Sequence, residues 1–262
     1  MSETLTPLFD LTGRRGLILG IANEQSIATG CARAFAAQGA TLGATYLNEK
    51  AKPYVAAVTS TLPACEFLLP CDVHAPGQLE AVFEEVTKRW GKLDFLLHAI
   101  AFAPMTDLHG RVVDSSADGF ALAMDVSCHS FLRAARLAEP LLTDGGALLA
   151  VTYQGSERVV AHYNLMGPVK AALESAVRYA AAELGPKNIR VHAISPGPIA
   201  TRAASGIEGF SELLEAAARE APERRLATIE DCGALAAFLV SDGAKMLTGT
   251  FIPIDGGQHL LA

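Results

Sequence analysis

The segment "TYQGSERVVAHYNLMGPVK", residues 152 to 170, brings Tyr153, Tyr163 and Lys170 together in a chain with only five tyrosines. A phenol can donate a hydrogen bond to a carbonyl and stabilise the negative charge that develops on its oxygen. A lysine close by lowers the phenol's effective pKa and can hold ribose hydroxyls. Lys170 follows Tyr163 by seven positions. On a helix that is nearly two full turns, so both side chains would leave one face about 10 Å apart in rise. Tyr153 closes the strand before this predicted helix, from where a loop could return its phenol to the same pocket. The set suits hydride transfer from a nicotinamide to an activated acceptor, because the cofactor carries the harder chemistry. In isolation the same tyrosines could simply pack their rings and Lys170 could be a solvated surface residue, so the surrounding elements decide.

Those elements alternate. Apolar, β-rich runs occur at "RGLILGI" (15–21), "ATLGATY" (40–46), "CEFLLPCDV" (65–73), "LDFLLHAIAFA" (93–103), "GALLAVTY" (146–153), "IRVHAIS" (189–195) and "TFIPID" (250–255). Each is short enough for a strand. Helical spacing fills 26–38, 50–60, 76–90, 117–142, 163–184 and 229–240. Near-continuous Val/Ile/Leu runs suit strands covered on both faces, and single helical crossovers make neighbouring strands parallel. The expected fold is α/β: a doubly wound, Rossmann-type parallel sheet of about seven strands with helices on both faces. No composition break divides the chain, so residues 1–262 read as one dinucleotide-binding domain. The stretch 196–225, rich in small residues, reads as a flap or as an ordinary surface helix with its loop. It follows a strand's carboxyl end, where this fold binds ligands.

Composition removes other classes. The chain has 262 residues, half of them hydrophobic, and can bury a large core. A formal charge of −7 without a Lys/Arg run argues against nucleic acid. Five scattered cysteines, never spaced C-x-x-C, read as free thiols in a reducing compartment. No His/Cys cluster has metal spacing. The polar start "MSETLTPLFDLTG" does not resemble a secretory signal, and no long apolar span reads as a membrane helix. A cytoplasmic protein with no metal is expected.

After "GLILG" comes "IANEQSIATG", which places Gly20, Ser26 and Gly30 where a strand turns into a helix. This is not G-x-G-x-x-G, but a glycine at the strand end permits close backbone approach. Ser26 could cap the helix and offer donors to a pyrophosphate, while in isolation a structural turn with a capping serine reads the same way. At the end of the second strand, Leu47 stands where a ribose-selecting residue is expected, so neither NAD nor NADP is selected there. Asp72 could meet the adenine or serve as a turn residue.

Beyond this residue-level reading, "TYQGSERVVAHYNLMGPVKAALESAVRYAAAELGPKNIRVHAISPGPI" resembles the active-site segment of the divergent short-chain dehydrogenase/reductases, specifically the NADH-dependent enoyl-[acyl-carrier-protein] reductases of bacterial fatty-acid synthesis. "GIANEQSIATG", "CDV", "HAIAFAP", "AASGI", "RRLATIEDCGALAAFLVSD" and the late "DGG" extend the resemblance over nearly the whole chain. Most short-chain dehydrogenases carry Tyr-x-x-x-Lys with a serine thirteen residues before the tyrosine. Here those positions hold Gly167 and Ala150, and Lys170 takes the lysine's place.

The resemblance implies that the chain reduces the double bond of trans-2-enoyl thioesters. In that reading the catalytic residues are Tyr153, Tyr163 and Lys170: Tyr163 bonds the thioester carbonyl, Lys170 holds the nicotinamide ribose, and Tyr153 lines the substrate pocket with a secondary catalytic role. It implies cofactor contacts from Gly20, Ser26, Ile27, Asp72, Val73, Ile100, Lys170, Ile199 and Thr201, substrate contacts from Ala103, Tyr153, Tyr163 and Met166, and a flap at 200–215. It implies NADH as cofactor, with NADPH left open by Leu47, an acyl carrier protein as bearer of the substrate, and a homotetramer joined through 117–142 and 163–184. Pro196 stands where the reductases commonly have a small residue. The flap carries Glu208, Glu212 and Glu215, which would repel an acidic carrier unless Arg202, Arg219, Arg224 or Arg225 compensates. An enoyl thioester of coenzyme A, or another activated alkene or carbonyl, is the alternative acceptor.

Overall fold

A computed structural model describes residues 9–201 and 210–261. Seven strands, β1 (Arg15–Leu19), β2 (Thr41–Tyr46), β3 (Cys65–Pro70), β4 (Phe95–His98), β5 (Gly146–Val151), β6 (Ile189–Pro196) and β7 (Phe251–Ile254), form one sheet. Their order is β3-β2-β1-β4-β5-β6-β7, with every pairing parallel. The order reverses between β1 and β4, and in such a sheet the crevice beyond the strands' carboxyl ends at that point is where ligands bind.

The crossovers supply helices α1 (Ile27–Ala37), α2 (Lys52–Thr59), α3 (Gln78–Trp90), α4 (Met105–Leu108), α5 (Ala117–Met124), α6 (Ser130–Ala138), α7 (Met166–Leu184), α8 (Phe210–Glu220) and α9 (Ile229–Val240). Alternate residues of each buried strand serve opposite faces. Leu17, Leu19, Leu96, Leu148 and Val191 join the core under α3, α6 and α7. Ile18, Leu42, Phe95, Leu97 and Leu149 join the core under α1, α2 and α9, where the Phe35 and Phe95 rings lie 4.7 Å apart.

Two predicted helices are corrected. The span 117–142 is broken between α5 and α6 by a π-helical turn, Asp125–His129. The span 163–184 starts only at Met166, because Pro168 fits a first helical turn but its ring would collide with the Asn164 carbonyl had the helix begun earlier. His162 and Asn164 instead take positive φ, 63° and 41°, so Tyr163 sits in a tight turn ahead of the helix rather than two turns along it. The runs predicted as strands also stop early: β4 ends at His98, which frees 99–102 to line the crevice.

Gly30 serves helix packing. A methyl there would lie 2.0 Å from the Ile229 carbonyl oxygen of α9, and one at Gly233 would lie 2.4 Å from the Gly30 carbonyl oxygen. Gly30→Ala is therefore expected to lower stability by about 1–3 kcal/mol through overpacking. Urea unfolding measures this, and an unchanged midpoint would contradict the packing.

Candidate active site

A cavity of about 690 Å³ opens at the carboxyl ends of β1 to β5. Gly20, Ser26, Ile27, Asp72, Val73, Ile100, Lys170 and Thr201 all line it. Ile199 does not; it packs, partly buried, against the core under α1 and α9. Gly20 has φ 112°, and a Cβ there would stand 2.4 Å from the Ala99 carbonyl oxygen, so only glycine lets β1 turn away at the mouth. Ser26 occupies the N-cap position of α1 without capping through its side chain. Its hydroxyl donates to the Asn23 carbonyl oxygen at 2.9 Å, leaving the first amides of α1 facing the cavity without a side-chain cap. Such amides favour an anion.

At the far end the walls include Leu47, Asn48 and Lys50. Glu49, the acid that follows β2 in the chain, is engaged elsewhere: it accepts from the Tyr46 hydroxyl at 2.8 Å and pairs with Lys52 at 3.2 Å. The Asp72–His74 loop is held from α6, where Arg133 donates to the Val73 carbonyl at 2.6 Å and to Asp125 at 2.6 Å. One Asp72 oxygen accepts from the His74 amide, so part of its carboxylate serves the turn.

Lys170 is buried in the cavity floor, its ammonium donating to the Val151 carbonyl oxygen at 2.7 Å. Burial brings its pKa down from 10.5 to about 8, against the opposing pull of Cys128 and Glu174. His98, at the end of β4, is pushed down to about 3, first by burial and then by the Lys170 charge, and so stays neutral. The Ser130 hydroxyl donates to the Val126 carbonyl. It therefore accepts from the His98 Nε2–H at 2.7 Å.

The two tyrosines pack edge to face, ring centroids 4.8 Å apart. Neither belongs to the walls of the large cavity; Tyr163 joins Ala103, Met166, Leu165 and Val169 in an apolar cluster beside it. A methyl on Gly155 would lie 2.4 Å from the Tyr163 ring, so the ring rests directly on that backbone. Burial raises both phenols, Tyr163 far up, with Tyr153 adding to Tyr163. The Tyr153 hydroxyl oxygen is buried without a hydrogen-bond partner among the described residues. Of the predicted flap, residues 202–209, including Arg202 and Glu208, lie outside the described residues. Glu212, Glu215 and Arg219 are exposed on α8.

The sequence reading missed the π-helical turn's part. Its wider winding lets Ser127 clamp the Phe102 backbone at both N–H and carbonyl, sets Ser130 on His98 just beyond it, and brings Cys128 near Lys170. The available signal was "DVSCHS", a polar interruption in an apolar helical stretch.

The family model described as enoyl-(acyl carrier protein) reductase matches residues 20–259. Enoyl-[acyl-carrier-protein] reductase [NADH] 2 of Rhizobium meliloti is 45% identical over 95% of this chain and 93% of its own. The Haemophilus influenzae enoyl-[acyl-carrier-protein] reductase [NADH] is 44% identical over 96% of each. The crystal structure of the Anaplasma phagocytophilum reductase in complex with NAD superimposes with a TM-score of 0.93 at 42% identity, over 98% of this chain and 97% of that one. A Bacillus cereus reductase, crystallised with NADP⁺ and an indole naphthyridinone, gives 0.93 at 43%, over 96% and 98%.

The depressed pKa of Lys170 has a thermodynamic counterpart. Between about 8 and 10.5 the unfolded chain binds the proton that the folded protein has released, so this residue's contribution to stability rises with pH across that window. Below it, lysine is charged in both states and the full desolvation penalty stands. Lys170→Met is expected to stabilise the fold at neutral pH by about 1–3 kcal/mol, with the gain fading toward the upper end of the window. Denaturant unfolding at the two ends of the window reads this, and a variant less stable at neutral pH would contradict it.

Proposed function

The chain belongs to the enoyl-(acyl carrier protein) reductase family, and on that premise we propose that it reduces the carbon–carbon double bond of trans-2-enoyl thioesters with hydride from NADH. The observation that carries this reading is Lys170, a buried ammonium in the floor of the crevice whose described hydrogen bond uses one of its three protons. The remaining donors suit ribose hydroxyls. The Gly20 cradle, which a Cβ would fill, and the α1 amides without a side-chain cap fit a pyrophosphate. Bound there, the nicotinamide would supply hydride to the β-carbon of the enoyl group, and the α-carbon would take its proton from solvent.

This chain's residues do the rest. Tyr163 stays protonated, since burial lifts its pKa, and donates to the thioester carbonyl oxygen as negative charge develops there. The Tyr153 hydroxyl, buried without a partner among the described residues, lines the acyl pocket. Ala103 and Met166 close the apolar side and exclude water around the carbonyl.

The acyl group is carried on acyl carrier protein. A coenzyme A thioester is the second reading, favoured by the exposed Glu212 and Glu215, which would repel an acidic carrier. NADPH is the second reading for the cofactor, favoured by the Lys50 cation at the adenosine end, where Leu47 selects neither. A homotetramer joined through α5, α6 and α7 would cover Phe120, Leu132 and Tyr179, all exposed on those helices. Among the described residues no helix is long and apolar enough to cross a membrane, and the five cysteines are free, which suits the cytoplasm.

Turnover of enoyl-acyl carrier protein and enoyl-CoA, followed by loss of reduced-nicotinamide absorbance with NADH or NADPH, tests the reading. Tyr163→Phe is expected to lower kcat on the order of 10²–10³-fold while NADH still binds. Lys170→Ala is expected to weaken NADH binding as well. A wild-type protein that binds NADH tightly yet reduces no enoyl thioester would overturn the proposal.

A further inference from the structure

A carboxylate in the interior is costly unless it is well bonded, so each one needs a reason. Glu174 lies on α7 one turn after Lys170 and is 5% exposed. One of its oxygens accepts from the Thr152 hydroxyl at 2.5 Å and from the Ser156 hydroxyl at 2.6 Å. These are short, charge-assisted contacts, the stronger kind. Thr152 and Ser156 bracket Tyr153 and Gly155, and Gly155 is the backbone on which the Tyr163 ring rests. On its other side the carboxylate borders a second cavity of about 250 Å³ shared with Asp255 and His259.

We propose that Glu174 is the positioning residue of this active site, tying the loop that seats both tyrosines to the helix that carries Lys170 and keeping an anion one turn from the ammonium. The inference rests on the enoyl-reductase reading of the site. Glu174 touches neither the cofactor cavity nor the reacting atoms. It acts through Thr152, Ser156 and Lys170.

The surrounding charges agree. Lys170 is faced by the Val151 carbonyl on β5, neutral His98 on β4, Cys128 on the π-helical turn and Glu174 on its own helix. Of these, Cys128 and then Glu174 favour the ammonium, and Glu174 is the carboxyl side chain that also bonds the Tyr153 loop. From the other direction it disfavours ionisation of Tyr163, after burial and Tyr153. Removing the charge therefore makes Lys170 easier to deprotonate and moves the alkaline limb of activity to lower pH.

The test compares wild type with Glu174→Gln, Thr152→Val and Thr152→Ser. The readouts are kcat and KM against pH with NADH and an enoyl thioester, thermal unfolding, and the Lys170 titration followed by NMR of labelled lysine without cofactor. Glu174→Gln should lower kcat on the order of 10- to 100-fold, as misplacement of reacting groups does. It should also shift both the alkaline limb and the Lys170 midpoint downward. Thr152→Val should lower kcat at an unshifted limb, and Thr152→Ser should restore it. A Glu174→Gln protein whose Lys170 midpoint and limb match wild type, with any loss of rate following only the folded fraction, would overturn the inference. Because the lysine titration needs no turnover, it reads the inference even if wild type reduces no enoyl thioester, a result that would sink the functional reading alone.

Discussion

The site depends on one buried charge. Lys170 enters the floor of the crevice from α7 and is met by a backbone carbonyl at the end of β5. A backbone acceptor fixes the ammonium without neutralising it, so the charge stays available to a ligand arriving from the cavity. The neighbours conform to this: His98 stays neutral and donates away to Ser130. Burial on this scale works against stability. A position that only packed would hold an apolar residue.

Close backbone contacts then set where the phenols stand. Gly155 leaves no room between its backbone and the Tyr163 ring, and a Cβ at Gly167 would lie 3.0 Å from the Gly155 carbonyl oxygen. The first turn of α7 is thus pressed against the loop at the position, four residues after Tyr163, where most short-chain dehydrogenases place their lysine. A side chain there would have to push the loop aside. Lys170, nearly a turn further on, reaches the crevice instead, and the spacing of six intervening residues follows from the contact.

Much of this was legible in the sequence for identifiable reasons. Strands buried on both faces leave long apolar runs, and all seven were visible. The close backbone approach at Gly20 was legible because a glycine at a strand end permits it, and its φ of 112° against the Ala99 carbonyl oxygen requires it. Residues whose role depends on a change of winding were hidden. The polar "DVSCHS" interrupts the helical pattern over 117–142, but polarity alone does not say that the chain rewinds at Asp125–His129, the turn that delivers Ser127 and Cys128. The start of α7 could have been read from Pro168, and with it the tight turn around Tyr163. Ile199 was assigned through the resemblance alone and its side chain packs against the core. Glu174 sits within a helical pattern where an acid usually faces water, so only its two hydroxyl partners across the loop reveal its burial.

The central claim is that one buried cation and one protonated phenol together hold a cofactor and a carbonyl in register. A crystal structure with NAD⁺ and a saturated acyl thioester tests it most directly. The account predicts the Tyr163 hydroxyl about 3 Å from the thioester carbonyl oxygen, and Lys170 donating to the ribose hydroxyls. A thioester carbonyl turned away from Tyr163, with Lys170 bonded only to Val151, would contradict it.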